Sequence, residues 1–186
     1  MTLAGVGYDG RGMGSTTLQQ RAALSPELWQ QLADHVSQLV WMADGEGRPF
    51  WFNRRCADYT GRSVHDLEAE GWSSVLHPSD IERVQSDWFG SVASGNPYES
   101  IYLLRRADGS YRHFLARAEP LRSGEGHITH WFGTSTDITD QVAAERHNRY
   151  LVDLQELLAA SSSADEAKSK VAELLGRALK ASRVLY

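Results

Sequence analysis

The stretch from His127 to Gln141, His-Ile-Thr-His-Trp-Phe-Gly-Thr-Ser-Thr-Asp-Ile-Thr-Asp-Gln, constrains what this chain can fold into more than any other. It begins rich in β-branched and aromatic residues, the composition of a strand, and passes through Gly133. It ends in Asp-Ile-Thr-Asp, where a helical pattern takes over and places Val142, Leu151, Leu154 and Leu158 on one side. A strand therefore runs straight into a helix. Thr139 or Asp140 can cap that helix, since a short side-chain oxygen there accepts from the first free backbone N–H groups. Whatever displaces the strand should then tilt or unwind the helix.

The preceding segments say what the strand belongs to. Leu39-Val40-Trp41-Met42-Ala43 and Pro49-Phe50-Trp51-Phe52-Asn53 are strand patterns joined by the turn chemistry of Asp44-Gly45-Glu46-Gly47. Short helical pieces follow from Arg54 to Leu76, broken at Gly61 and Gly71. Pro78-Ser79-Asp80 opens a longer helix carrying Ile81, Val84, Trp88, Phe89 and Val92, stopped at Ser94-Gly95-Asn96-Pro97. Strands over residues 98–106, 111–121 and 127–136 complete the order. The fold class is α+β: a five-stranded antiparallel sheet with short helices grouped on one face.

The flanks read differently. Residues 1–24, rich in glycine and poor in apolar anchors, are expected to be a flexible leader. Ser25-Pro26-Glu27 starts a cap helix over residues 25–38, whose Leu28, Trp29, Leu32 and Val36 form one apolar stripe. Residues 141–160 continue the outgoing helix with a seam spaced like a short coiled coil. Ser163 and Glu166 make a capping-box pattern for another helix.

Charge and composition remove several classes of function. With 19 Lys+Arg against 24 Asp+Glu and no basic run interleaved with aromatics, no nucleic-acid partner is expected. No apolar stretch reaches the roughly 20 residues needed to cross a bilayer, and the first residues lack the order of a secretory signal. The single cysteine, Cys56, fits a reducing compartment, so a cytoplasmic location is the plain expectation. No nucleophile elbow, phosphate loop or paired-carboxylate spacing is present, and this segment is not expected to be an enzyme.

Four phrases in order carry a resemblance: Leu39-Val40-Trp41, Asp58-Tyr59-Thr60-Gly61, Leu76-His77-Pro78-Ser79-Asp80-Ile81-Glu82-Arg83-Val84, and Arg105-Arg106-Ala107-Asp108-Gly109 with the closing Trp131 to Thr139. Residues 39–140 thereby resemble the PAS domain, in the subgroup found with sensor kinases, its closing phrase being similar to the PAC motif. Ala172-Glu173-Leu174-Leu175-Gly176 through Tyr186 is similar to the opening of a GAF domain, so residues 163–186 are expected to be its truncated start.

The resemblance implies a site between sheet and helices. Strand alternation would turn Trp41, Tyr102, Leu104, Phe114, Ala116, Trp131 and Ser135 inward, towards Tyr59, Trp72, Leu76, Val84 and Trp88. A filled core and a ligand cavity both accommodate this set. No cofactor is the plain expectation and a small organic ligand is the alternative. Flavin is disfavoured because the adduct-forming cysteine of light-oxygen-voltage domains sits in a Gly-Arg-Asn-Cys-Arg phrase missing here. Haem is disfavoured because His77 stands in the family's helix-start phrase, and no metal-ligand spacing occurs around His127 and His130.

Gly133, Asp137 and Thr139 are the expected signalling junction, since the family's pair corresponding to Asp137 and Thr139 ties the last strand to the outgoing helix. Ile101, Leu103, Leu115 and Phe132 should point outward, and an apolar outer face needs cover. Together with Leu28, Trp29 and Leu32 they form the expected homodimer face. The resulting expectation is a sensory module of a larger bacterial signalling protein, a histidine kinase, acting on a downstream domain of the same polypeptide. The rival is a ligand-free dimerisation scaffold.

Overall fold

The computed structural model describes residues 25–160 together with 163, 168, 170–172, 175 and 176. The leader assigned to residues 1–24 lies outside them, as does most of the stretch 163–186 compared with a GAF domain. The chain divides into two units between His35 and Val36. In the first, helix α1 spans Pro26–His35, and Ser25 Oγ accepts from the Leu28 N–H at 3.2 Å. Leu28, Trp29 and Leu32 are exposed. The helix was expected to reach residue 38 and stops at 35, because Gln38 is committed elsewhere. Its carbonyl accepts from Asn53 Nδ2 and its amide donates to Thr136 Oγ1 at 2.7 Å.

In the second unit, β1 (Leu39–Asp44) and β2 (Pro49–Phe52) form a hairpin. The Asp44 carboxylate closes its turn by accepting from the Glu46 and Arg48 N–H groups, and Gly47 takes φ 83°, a region that favours glycine. Helices α2 (Arg54–Thr60) and α3 (Val64–Glu70), a 3₁₀ turn over Trp72–Val75 and helix α4 (Ile81–Ser94) cross to β3 (Tyr98–Arg105). Strands β4 (Tyr111–Arg122) and β5 (Ile128–Asp137) follow, and α5 (Thr139–Ala159) leaves the sheet. The outgoing helix thus starts two residues before the expected residue 141.

The strand order is β2-β1-β5-β4-β3, all neighbours antiparallel. The first and last strands are therefore adjacent at the sheet's centre. Alternation sorts the two faces as expected: Trp41, Tyr102, Leu104, Phe114, Ala116, Trp131 and Ser135 are buried, while Ile101 and Phe132 are exposed and Leu103 and Leu115 half-buried. Cross-strand pairing divides the outer set. Ile101 pairs with Leu115, but Phe132 pairs with Glu119 and Met42, about 14 Å further along β4.

Candidate ligand cavity and helix junction

Below the inner face a cavity of about 220 Å³ is walled largely by aromatic rings. Trp41, Trp72, Leu76, Val84, Trp88 and Tyr102, all expected at a pocket, line it, and Phe52 and Tyr98 join them. The rings brace one another: Trp88 meets Trp41, Tyr98 and Trp131 edge-on at 5.1–5.4 Å, and Phe52 stacks on Trp72 at 5.6 Å. Of the other expected positions, Leu104, Ala116 and Trp131 are core residues outside this wall, while Tyr59, Phe114 and Ser135 line a separate cleft.

The polar groups of the aromatic wall residues Trp41, Trp72, Trp88 and Tyr102 are already engaged, while Arg48, Ser73 and Gln85 complete the lining. Trp72 Nε1 donates to Tyr102 Oη at 2.8 Å, Tyr102 Oη bonds Ser135 Oγ at 3.1 Å, and Trp41 Nε1 donates to the same Ser135 Oγ at 3.3 Å. Trp88 Nε1 donates to the Gly47 carbonyl. Burial pushes the Tyr102 phenol far above its ordinary pKa, so it stays protonated and bonds as a neutral group. The wall can therefore select by shape and ring contact more than by hydrogen bonds.

Gly133 lies directly opposite Trp41, and a Cβ there would overlap the indole. It is the seat on which this wall residue rests. Cys56 is buried, and burial pushes its thiol up to about 12, which keeps it un-ionised. Its Sγ–H points to the Asn53 carboxamide oxygen at 3.3 Å, and Asn53 in turn accepts from the Val40 N–H.

At the end of β5 the side chains form a clasp. Asp137 Oδ1 accepts from the Thr139 N–H at 3.0 Å, and Oδ2 meets Arg112 Nε of β4 at 2.6 Å, an ionic contact lying off the N–H axis. Thr139 Oγ1 accepts from the His113 N–H at 2.9 Å, while the Ile138 N–H donates to the His113 carbonyl. The expected capping by Thr139 or Asp140 is thus corrected. Asp137 holds the first turn of α5, Thr139 ties it to β4, and Asp140 reaches Arg112 at 3.3 Å. The reason is the register, in which Asp137 faces Phe114 and brings its neighbours on β4 within reach.

Arg112 and His113 are junction positions that the sequence did not single out. A polar-rich strand end offers no signal of its own, and only pairing with β5 reveals their role. Among the described residues no three His, Cys, Asp or Glu side chains gather at metal-binding distance, and no helix is long and apolar enough to cross a membrane.

Residues 49–135 match the family described as the PAS fold. The chain carries a PAS domain. In sequence, the chain is 38% identical over 120 residues to the peroxide stress-activated histidine kinase mak1 of Schizosaccharomyces pombe, covering 64% of this chain and 7% of that protein. It is 31% identical over 125 residues to the uncharacterized protein y4lL of Sinorhizobium fredii, covering 67% of this chain and 15% of that one. The chain therefore spans only a small part of these relatives. In structure, the PAS domain is similar to an RNA-binding light-oxygen-voltage receptor, with a TM-score of 0.61 at 19% identity over 81% of this chain and 42% of that one. A sensory box histidine kinase/response regulator from Burkholderia thailandensis gives a TM-score of 0.50 at 21% identity, covering 70% of this chain and 98% of that one.

Proposed function

We propose that this PAS domain is the sensory module of a larger signalling protein, a histidine kinase, and relays the state of its aromatic cavity to α5. The observation that carries the reading is the position of Ser135. Its hydroxyl accepts from Trp41 Nε1 and is hydrogen-bonded to the Tyr102 hydroxyl, to which Trp72 also donates, and it sits two residues before Asp137 on the same strand. A small organic ligand that moves either ring shifts Ser135, and through β5 it shifts the carboxylate holding the first turn of α5. The kinase relative supports a catalytic output in the same polypeptide.

A second reading, a ligand-free homodimeric scaffold, is favoured by the exposure of Ile101 and Phe132 on the outer sheet face and of Leu28, Trp29 and Leu32 on α1. Native mass spectrometry of the freshly purified chain separates the two. A dimer carrying a discrete extra mass supports the sensor, and a bare dimer whose cavity takes up no small apolar compound supports the scaffold. In the full-length protein Asp137→Ala should leave autophosphorylation intact but no longer responsive to the stimulus. Output that still follows the stimulus in that variant would refute the relay.

A further inference from the structure

A second cleft, of about 390 Å³, lies where β1 begins and β5 ends, and shares no wall residue with the aromatic cavity. Four charged side chains line it: Arg55, Asp58, Arg106 and Asp137. Three of them have partners of their own. Asp58 pairs with Arg54 at 3.7 Å, Arg106 with Asp108 at 3.4 Å, and Asp137 with Arg112. The Arg55 side chain is in no hydrogen bond or ion pair among the described residues, although it belongs to the same wall.

One turn further along α2, Tyr59 also faces the cleft, and its hydroxyl is buried without a hydrogen-bond partner. The two residues are four apart on a helix, so their side chains are neighbours. Burial, followed by the charge of Asp137, pushes the Tyr59 phenol up to about 12, so it keeps its proton and remains a donor. Both unmatched groups in the cleft are therefore donors, while its carboxylates, Asp58 and Asp137, are held by Arg54 and Arg112. A buried donor without a partner is costly, and an anion in the cleft would satisfy it.

We propose that this cleft is a second binding site, for a small organic carboxylate held by Arg55 and the Tyr59 hydroxyl with its body against Leu39 and Phe114. Those apolar walls and the room available suit an organic acid better than a bare inorganic anion. The carboxylates of Asp58 and Asp137 would repel a dense double charge. The site stands on the unmatched donors and not on the aromatic cavity, although Ser135 and Asp137 of the proposed relay belong to its wall.

The test is calorimetric titration of the whole chain with benzoate, and with inorganic phosphate for comparison. Benzoate should bind saturably and more tightly than phosphate. Arg55→Ala, at an exposed position, should weaken it roughly tenfold or more, the loss of one charge-assisted hydrogen bond, and Tyr59→Phe several-fold. Val84→Phe, which narrows the aromatic cavity, should leave benzoate affinity unchanged. Binding that survives both α2 substitutions, that is lost in Val84→Phe, or that phosphate matches would overturn the assignment, as would the absence of saturable binding.

Discussion

Ser135 and Gly133 show how much two small residues on one strand can organise. Ser135 is fully buried yet satisfied, its hydroxyl bonding both the Trp41 indole and the Tyr102 phenol. Gly133 leaves the space that the same indole fills. Gly133→Ala should therefore destabilise the domain by roughly 1–3 kcal/mol, the usual cost of overpacking a tight core, as read by denaturant unfolding. Tyr59→Phe should act in the opposite direction. It removes a buried hydroxyl that bonds nothing, so the unliganded chain should be equally stable or gain about 1 kcal/mol in the same assay. The inward identity of Ser135 was legible from alternation along β5. Its bonding was not, since Trp41 and Tyr102 arrive from strands 94 and 33 residues away in sequence.

Among the elements, α5 is bound to the sheet by a few groups at its first turn. Asp137→Ala removes the acceptor for the Thr139 N–H and the partner of Arg112, so amide exchange over the first turn of α5 should quicken roughly fivefold, while β1 and β4 keep their protection. The same junction should respond to acid through His113. Burial and then the Arg146 charge on α5 hold its imidazole below the ordinary 6.5, while Asp80 and Asp137 pull the other way. A depressed folded pKa means that the unfolded chain takes up the proton first. This contribution to stability is thus complete above 6.5 and is lost as pH falls towards the folded value. Between about pH 7.5 and about pH 5.5 the thermal midpoint should drop, and His113→Gln should flatten that drop. A midpoint profile identical in the variant would remove His113 from the account. The strand-to-helix transition itself could be read from Trp131 to Val142, because composition and period change there together. Which side chain caps the helix could not, since Asp137, Thr139 and Asp140 are equivalent candidates until β4 is in register beside them.

For the whole molecule, the sheet order decides what faces what. With β1 and β5 side by side at its centre, one rigid surface joins the aromatic wall to the helix exit, and the opposite surface leaves Ile101 and Phe132 exposed. If the outer face joins two copies, Ile101→Glu should raise the dimer dissociation constant by tenfold or more in sedimentation equilibrium, roughly the cost of removing one apolar contact and burying a charge at its centre. An unchanged constant would place the contact elsewhere. The α+β class, the hairpin at Asp44, the helix starts at Ser25 and near Asp80, and the inward and outward residues of each strand were all determined by the sequence itself. They depend on local backbone preference and on periods of two or 3.6 residues, which neighbours in the chain already carry. Tertiary structure alone decided that Ser135 would join Trp41 and Tyr102, that Arg112 and His113 would close on Asp137 and Thr139, and that the predicted pocket residues would divide among a cavity, a separate cleft and the solid core. Those outcomes depend on the register of strands distant in sequence and on where the intervening helices leave space, and neither is written in any one segment.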